Sequence, residues 1–329
     1  MHAPAHSASC SIPCNLCGSS DAEPIRSKDR QGRFLRSVIC RRCGLVWTDP
    51  RPTPDQMRTF YARDYRLDYK RTYQPKPRHI FRAGRVAVYR FLDLRPLLQP
   101  GFRVFDVGAG GGEVVYVLRA MGYAASGVEP NEGYARYAAE RLGVSVAQGF
   151  WQDAAVEPAS QNLVTIFHAL EHLESPLDLM RRAHEWLVPQ GLLLVEVPNV
   201  EAVYNQPHSQ FHRGHLYHFN LAVLQMLGRR AGYTPVSDFT SSDGGIIRVV
   251  FQKTAATPPA SGEIPGNYER VASILRRHTT MSHLFSLYPY VRPFQKLRAR
   301  IEEQRNIRAP QSPTAVLDGL IRTLLVVRR

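Results

Sequence analysis

The alternation of apolar and polar positions is most regular between residues 103 and 252. Residues 103–107 form a short, largely apolar run, the pattern of a buried parallel strand. Four glycines then crowd into positions 108–112, and residues 113–121 read as a helix with Val114, Val117, Leu118 and Met121 on one side. Residues 125–128 give a second strand ending at Glu129. A helix over 131–142 is stopped by Gly143, and strands follow at 144–147 and 163–167. Ser175 and Pro176 supply an N-cap and a first-turn proline for a helix over 177–187. Residues 191–197 are an apolar strand broken only by Glu196, Asn220 caps a helix over 221–231, and 233–239 and 246–251 complete seven strands. Outside this block the pattern predicts a hairpin over 25–39 with Gly32 midway, and helices at 55–61, 80–98, 268–278, 292–304 and 314–327.

A strand, a glycine turn and a helix bring backbone close to a ligand at the carboxyl end of a strand. The turn reads Asp106-Val-Gly108-Ala109-Gly110-Gly111-Gly112, with Glu113 directly after it. A nicotinamide site would present Gly-x-Gly-x-x-Gly and hold a pyrophosphate at the helix start. Carboxylates on both sides of the turn repel a pyrophosphate and suit a cationic sulfonium with its amino group. Glu129, at the tip of the next strand, is placed to accept both hydroxyls of an adenosine ribose. With these residues the chain resembles the class I S-adenosylmethionine-dependent methyltransferases. Asp106 to Gly112 matches their first motif, and Gly127-Val-Glu129-Pro130-Asn131 matches their second strand end. The resemblance implies a Rossmann-like seven-stranded α/β sheet and S-adenosylmethionine as cofactor, held by Asp106, Gly108, Ala109, Gly110, Glu129 and Pro130. The acid that relatives carry near the adenine is absent from Gln148-Gly149-Phe150-Trp151, where Asp153 is a late candidate. The Phe150 or Trp151 ring and backbone amides are expected in its place.

The fourth strand runs into His168-Ala-Leu-Glu171-His172, which resembles a methyltransferase branch that includes sugar and ubiquinone-pathway enzymes. Asn162 departs from that pattern, where relatives have Asp. His168 is assigned to the cofactor side. By letters the segment also matches an inverted zinc-protease motif, but that chemistry needs both histidines one helical turn apart, and a strand ends just before them. His168, Glu171 and His172 remain a candidate set for a second metal, and packing is the plain alternative. Residues 200–219 carry His208, His212, His215 and His218, with no carboxylate evident among them. On a loop after the fifth strand they are candidates for the acceptor side. His172, His215 and His218 are the expected catalytic groups, because unperturbed imidazoles titrate near neutrality and suit removal of a proton from a poor nucleophile.

Four of the five cysteines form two Cys-x-x-Cys-Gly knuckles, Cys14/Cys17 and Cys40/Cys43, 22 residues apart. That spacing predicts a zinc ribbon with tetrahedral sulfur coordination, closed to substrate and therefore structural. The expected organisation is a zinc-ribbon-like domain over 1–50, a helical lid or linker over 51–100, the methyltransferase domain over 101–254 and a basic helical extension over 255–329. Tyr61, Tyr65, Tyr69 and Tyr73 recur every four residues in the lid segment.

Forty-two Lys and Arg against 28 Asp and Glu give a net charge of +14, which favours an anionic partner. The expected acceptor is a small molecule or glycan bearing negative charge, such as a nucleotide-sugar, methylated on oxygen or carbon. Two competing readings are a ribbon protein binding nucleic acid, including an RNA methyltransferase, and a peripheral membrane enzyme acting on a lipid-linked or quinone-type acceptor. The intact turn and Glu129 argue against a degenerate nucleic-acid-binding scaffold. No run has the length of a membrane span and the N-terminus lacks signal-peptide character, so the cytoplasm is the expected compartment, with membrane association an option. That option rests on the last helix, where Leu317, Leu320, Ile321, Leu324 and Leu325 form a stripe flanked by Arg322, Arg328 and Arg329. An ordinary helix packed on its own domain is the favoured reading of that stripe.

Overall fold

The computed structural model describes residues 9–61, 77–254, 261–306 and 311–326. Tyr65, Tyr69 and Tyr73 of the expected lid, with the basic residues around them, lie outside these. Strands β1 (Ser9–Cys10), β2 (Ala22–Lys28), β3 (Phe34–Cys40), β4 (Val46–Thr48) and β5 (Arg51–Pro52) precede helix α1 (Pro54–Thr59). An alternating stretch follows: α2 (Pro77–Leu94), β6 (Arg103–Val107), α3 (Glu113–Ala120), β7 (Ala124–Glu129), α4 (Glu132–Tyr137), β8 (Val146–Gln148) and β9 (Gln161–Phe167). Next come α5 (Pro176–Trp186), β10 (Leu187–Pro198), β11 (Tyr217–His218), α6 (Leu221–Arg230), β12 (Tyr233–Thr240) and β13 (Ile246–Lys253). Helices α7 (Asn267–Arg277), α8 (Thr280–Leu284), α9 (Tyr288–Asn306) and α10 (Pro313–Val326) close the chain.

Seven strands share one sheet in the order β12-β13-β10-β9-β6-β7-β8, the Rossmann-like methyltransferase arrangement. β6 runs parallel to β7 and β9, and β7 parallel to β8, whereas β13 is antiparallel to β10 and β12. The third strand starts two residues later than the apolar pattern suggests. Gly143 takes a left-handed conformation, and the Val144 amide donates back to the Ala138 carbonyl, so Val144 still closes the preceding helix.

The chain divides into two compact units. One comprises Phe60–Phe167, Trp186–Gly191 and Arg292–Arg329. Its core stacks Val104, Phe105 and Val107 of β6 with Leu163, Val164 and Ile166 of β9 and Val114, Val115, Val117 and Leu118 of α3. Each such side chain contributes about 1.5–3 kcal/mol when fully buried. Within this unit α10 packs on α2, with Leu317 and Leu320 buried and the Tyr116 hydroxyl donating to Asp318. The apolar stripe on the last helix therefore covers its own domain.

The other unit comprises Met1–Thr59, His168–Glu185 and Leu192–Val291. A four-stranded sheet, ordered β11-β4-β3-β2, carries the cysteine knuckles. β11 comes from the histidine-rich segment and pairs antiparallel with β4, placing Tyr217 opposite Trp47 and His218 opposite Val46. Ile39, Val46, Val200, Phe211, Val271, Ala272 and Leu275 form one core under this sheet. Helix α7, the first of the C-terminal extension, thus completes the hydrophobic interior of the ribbon.

Candidate active site

In the unit that holds β6, the glycine turn is fixed by short backbone bonds. The amides of Gly108 and Ala109 both donate to the Val128 carbonyl, at 2.9 and 3.0 Å, and Gly112 donates to Ala109. Gly108, Gly110 and Gly112 all have positive φ, which a side chain would strain. Glu129 is buried, and its Oε2 accepts from the Gly110 amide at 2.9 Å while Oε1 accepts from the Asn131 amide at 3.1 Å. Asp106, also buried, accepts from the Thr165 hydroxyl at 2.7 Å. Burial pushes the Asp106 carboxyl up to about 7, the Thr165 bond and the Arg90 charge oppose this, and Glu129 and Glu113 add to it. Glu113 is buried at the start of α3. Three buried acids around one turn disfavour an anionic ligand and favour a cationic one. Pro130 and Phe150 are half-buried beside this region, Phe150 as the N-cap of a one-turn helix at Trp151–Asp153.

The second cluster belongs to the other unit. Leu170–His172 forms a single 3-10 turn after the strand, and His168, just before it, has φ of 51°. His168 lies 3.5 Å from Glu171 and 3.3 Å from Glu196 through its two ring nitrogens. Burial pushes its pKa down, but the two carboxylates overcome this and raise it to about 9. Glu196 is also gripped by Arg248, at 2.9 Å from Nε and 2.6 Å from Nη2. Burial raises the Glu171 carboxyl, but the hydrogen bond with His168 and the charges of His172 and His168 prevail and hold it below the ordinary carboxylate range.

Glu171 brings the dispersed histidines together. Its Oε1 is 3.9 Å from His172 Nε2 and 4.0 Å from His215 Nε2. The His215 ring contacts those of His172, His212 and His218, with centroids 4.9, 3.8 and 5.9 Å away. Burial first, and then mutual repulsion among the imidazoles, keeps His215 well below 6.5. Burial lowers His218 to about 4 and His212 to about 3, the latter helped by Arg30 and its neighbouring imidazoles. His212 Nδ1 accepts from the Gly214 amide at 3.2 Å, consistent with a neutral ring. His172 Nδ1 meets the Gly214 carbonyl. A carbonyl only accepts, so Nδ1 carries the proton there and Nε2 is the basic nitrogen. Among the described residues, Glu171 Oε2 and His218 Nε2 are buried without a hydrogen-bond partner.

Of the expected catalytic residues, His172, His215 and His218 thus share one cluster, joined by His212. No carboxylate interleaves with the histidines of residues 208–218 in the sequence; Glu171 enters the cluster from a distant segment. Glu171, His172 and His215 each offer an atom within 4.8 Å of the others, a set able to hold a cation. This set takes His215 in place of His168, whose ring is engaged by Glu171 and Glu196. Glu196 did leave a sequence signal, as the lone acid inside an apolar strand.

Cys14, Cys17, Cys40 and Cys43 offer sulfur atoms that all lie within 4.8 Å of one another. The Cys14–Cys43 and Cys17–Cys40 sulfurs are 3.4 and 3.5 Å apart. A disulfide needs about 2.05 Å, and tetrahedral zinc with bonds of about 2.3 Å separates its sulfurs by roughly 3.8 Å, so the spacing fits the metal far better. Gly18 and Gly44 close the two knuckles, their amides donating to Cys14 and Cys40.

A family profile described as "Methyltransferase domain" matches residues 70–238, just over half of the chain. The chain belongs to this methyltransferase family, and its sheet and glycine turn are those of the class I, S-adenosylmethionine-dependent kind. It is 33% identical over 111 residues to a ubiquinone biosynthesis O-methyltransferase of Azorhizobium caulinodans, covering 32% of this chain and 43% of that one. An enzyme of the same name from Ruegeria pomeroyi is 29% identical over 104 residues, 30% and 42% of the two chains. The match therefore spans less than half the length of these curated relatives. A Thermotoga maritima structure titled a possible histamine N-methyltransferase aligns with a TM-score of 0.46 at 20% identity, covering 60% of this chain and all of that one. That likeness is too distant to carry an argument.

Proposed function

We propose that this protein transfers a methyl group from S-adenosylmethionine to a hydroxyl of a small acceptor, with His172 taking the proton. When bound, S-adenosylmethionine supplies an electrophilic methyl group on a sulfonium sulfur. Glu129 would hold the ribose hydroxyls, the 108–112 turn the amino acid end, and Asp106 and Glu113 the surrounding negative field. Three buried carboxylates at a glycine turn support a cationic nucleotide-like ligand over a pyrophosphate.

The observation that carries acceptor activation is the set of imidazoles around Glu171. With its Nδ1–H donating to the Gly214 carbonyl, His172 accepts a hydroxyl proton at Nε2, and the Glu171 charge 3.9 Å away stabilises the imidazolium formed. The neutral His215 ring packs against His172, with His218 beyond it. O-methylation agrees with the names of the two curated relatives. The net charge of +14 supports an anionic acceptor, and we favour a nucleotide-sugar or other saccharide, with methylation at carbon as the variant outcome. Zinc at the four cysteines would act as scaffold alone, since four thiolates leave no open position.

Incubation of the zinc-loaded protein with methyl-labelled S-adenosylmethionine and panels of nucleotide-sugars, catechols and RNA tests the proposal. Label in the sugar panel supports it; label confined to RNA overturns it. The donor set Glu171, His172 and His215 favours a second reading, in which a divalent cation orients the acceptor oxygen. Under that reading chelation abolishes transfer and a divalent cation added back restores it, whereas under the first the rate is independent of added cation.

A further inference from the structure

Helix α9 exposes what an ordinary surface helix hides. At about 100° per residue, Tyr290, Phe294, Leu297 and Ile301 fall within about 60° of one another around its axis. Their exposures are 60, 73, 55 and 41%, so the stripe faces water. Phe285 and Leu287, in the turn before the helix, are exposed as well. Arg298 and Arg305 border the stripe on one side and Arg300 on the other, and all three are exposed.

The acids of α9 point elsewhere. Glu303 is buried against Arg82, whose Nη2 donates at 2.8 Å, and Glu302 pairs with Arg85 at 3.0 Å. Both arginines belong to α2, so the face towards α2 uses up the helix's negative charge while the opposite face keeps its cations and apolar groups. An apolar stripe lined by Lys and Arg is the pattern of a helix lying in a membrane interface. The last helix, α10, cannot supply this face, because its Leu317 and Leu320 are buried in its own unit. Among the described residues no helix is long and apolar enough to cross a membrane.

We propose that the Tyr290–Phe294–Leu297–Ile301 face of α9 docks on an anionic lipid bilayer, the aromatic and aliphatic groups entering the interface and the three flanking cations meeting the headgroups. Charge selects this occupant. A second copy of the chain would press one row of cations against another. A nucleic acid would satisfy the cations and stack on Phe294 but leave Leu297 and Ile301 without a purpose.

The test uses the full chain with vesicles of phosphatidylcholine alone or containing about one third phosphatidylglycerol. Wild type sediments with the anionic vesicles and not with the neutral ones, and the interaction weakens with salt. Phe294→Ser/Leu297→Ser and Arg298→Glu/Arg300→Glu each reduce vesicle binding on the order of tenfold or more. Because these positions are exposed, the melting temperature stays that of wild type, which is checked in parallel. Failure of wild type to sediment overturns the proposal. So does undiminished binding by the Phe294→Ser/Leu297→Ser variant, which would indicate a polyanion site. Light scattering that shows a wild-type dimer broken by that variant also overturns it, in favour of self-association.

Discussion

Two buried acidic clusters distinguish the halves of this molecule, and they differ in what answers the charge. At the glycine turn, Glu129 is held by the backbone amides of Gly110 and Asn131, and Asp106 by the Thr165 hydroxyl. These contacts orient carboxylates while leaving the region negative, a setting that recruits a cation from outside. Glu171 and Glu196 are instead surrounded by imidazoles, with Arg248 on Glu196. There the charge is used internally: His168 is kept protonated, while His212, His215 and His218 are kept neutral. Backbone amides cannot change protonation state, whereas imidazoles can. On the proposed function, the first cluster binds the donor and the second moves a proton.

The sharpest way to break this comparison is to remove the proton carrier. His172→Gln should lower kcat by roughly 10²–10⁴-fold, with S-adenosylmethionine affinity unchanged. A comparable loss of affinity in stopped-flow or equilibrium binding would mean that the two clusters are not separable in function.

Next in size is the support beneath the histidines. β11 carries His218 and pairs with β4, three residues beyond the second knuckle, so metal at the cysteines should stiffen the proton-handling cluster. Apparent structural-zinc energies of about 10–16 kcal/mol are comparable with the whole stability of a domain. Cys40→Ser should therefore release zinc, measurable by elemental analysis. It should also strip hydrogen-exchange protection from β3, β4 and α7 while leaving β6 and α3 protected. Uniform loss across the chain would contradict that division.

Titration sharpens the comparison without mutation. Histidine NMR should find His168 protonated until about pH 9, His218 neutral until about pH 4 and His212 until about pH 3. His212 and His218 have depressed folded pKa values, so their contribution to stability is present above about 6.5 and is lost as pH falls towards 4 and 3. His168 has the opposite sign: its contribution is full below about 6.5 and is lost as pH rises through 9. A His168 resonance that titrates near 6.5 would remove the internal use of Glu171 and Glu196.

The smallest effect concerns the packing of the binding half. A methyl group added at Gly84 would run into Leu317 and approach Leu320 within 3.0 Å. Gly84→Ala gains up to about 1 kcal/mol of helix propensity but incurs an overpacking cost of about 1–3 kcal/mol. A net loss of about 1 kcal/mol, a few degrees in thermal melting, is expected; stabilisation would show that α10 does not press on α2 there.

The same comparison explains what could be read in the chain itself. The glycine turn and Glu129 were legible because their geometry is local: Asp106 to Glu129 spans one strand–helix–strand unit whose turn chemistry is written in contiguous glycines. The cysteine knuckles carry their own spacing in the same way. The role of Glu171 was not legible, because it depends on bringing residues 168–172 against 212–218, and β11 against β4, contacts set by tertiary packing. The α9 stripe was missed for a local reason. Pro289 and Pro293 suggest a later helix start, near residue 292, which cuts Tyr290 off from Phe294, Leu297 and Ile301 and leaves a stripe too short to notice.

Isothermal titration of S-adenosylmethionine into zinc-loaded wild type, His172→Gln and Glu129→Ala tests the division of labour most directly. The account predicts near-equal affinity for wild type and His172→Gln, and affinity weakened roughly 10–100-fold in Glu129→Ala, the scale expected for losing hydrogen bonds to a charged group. No heat with correctly folded wild type, or equal affinity in Glu129→Ala, would contradict it.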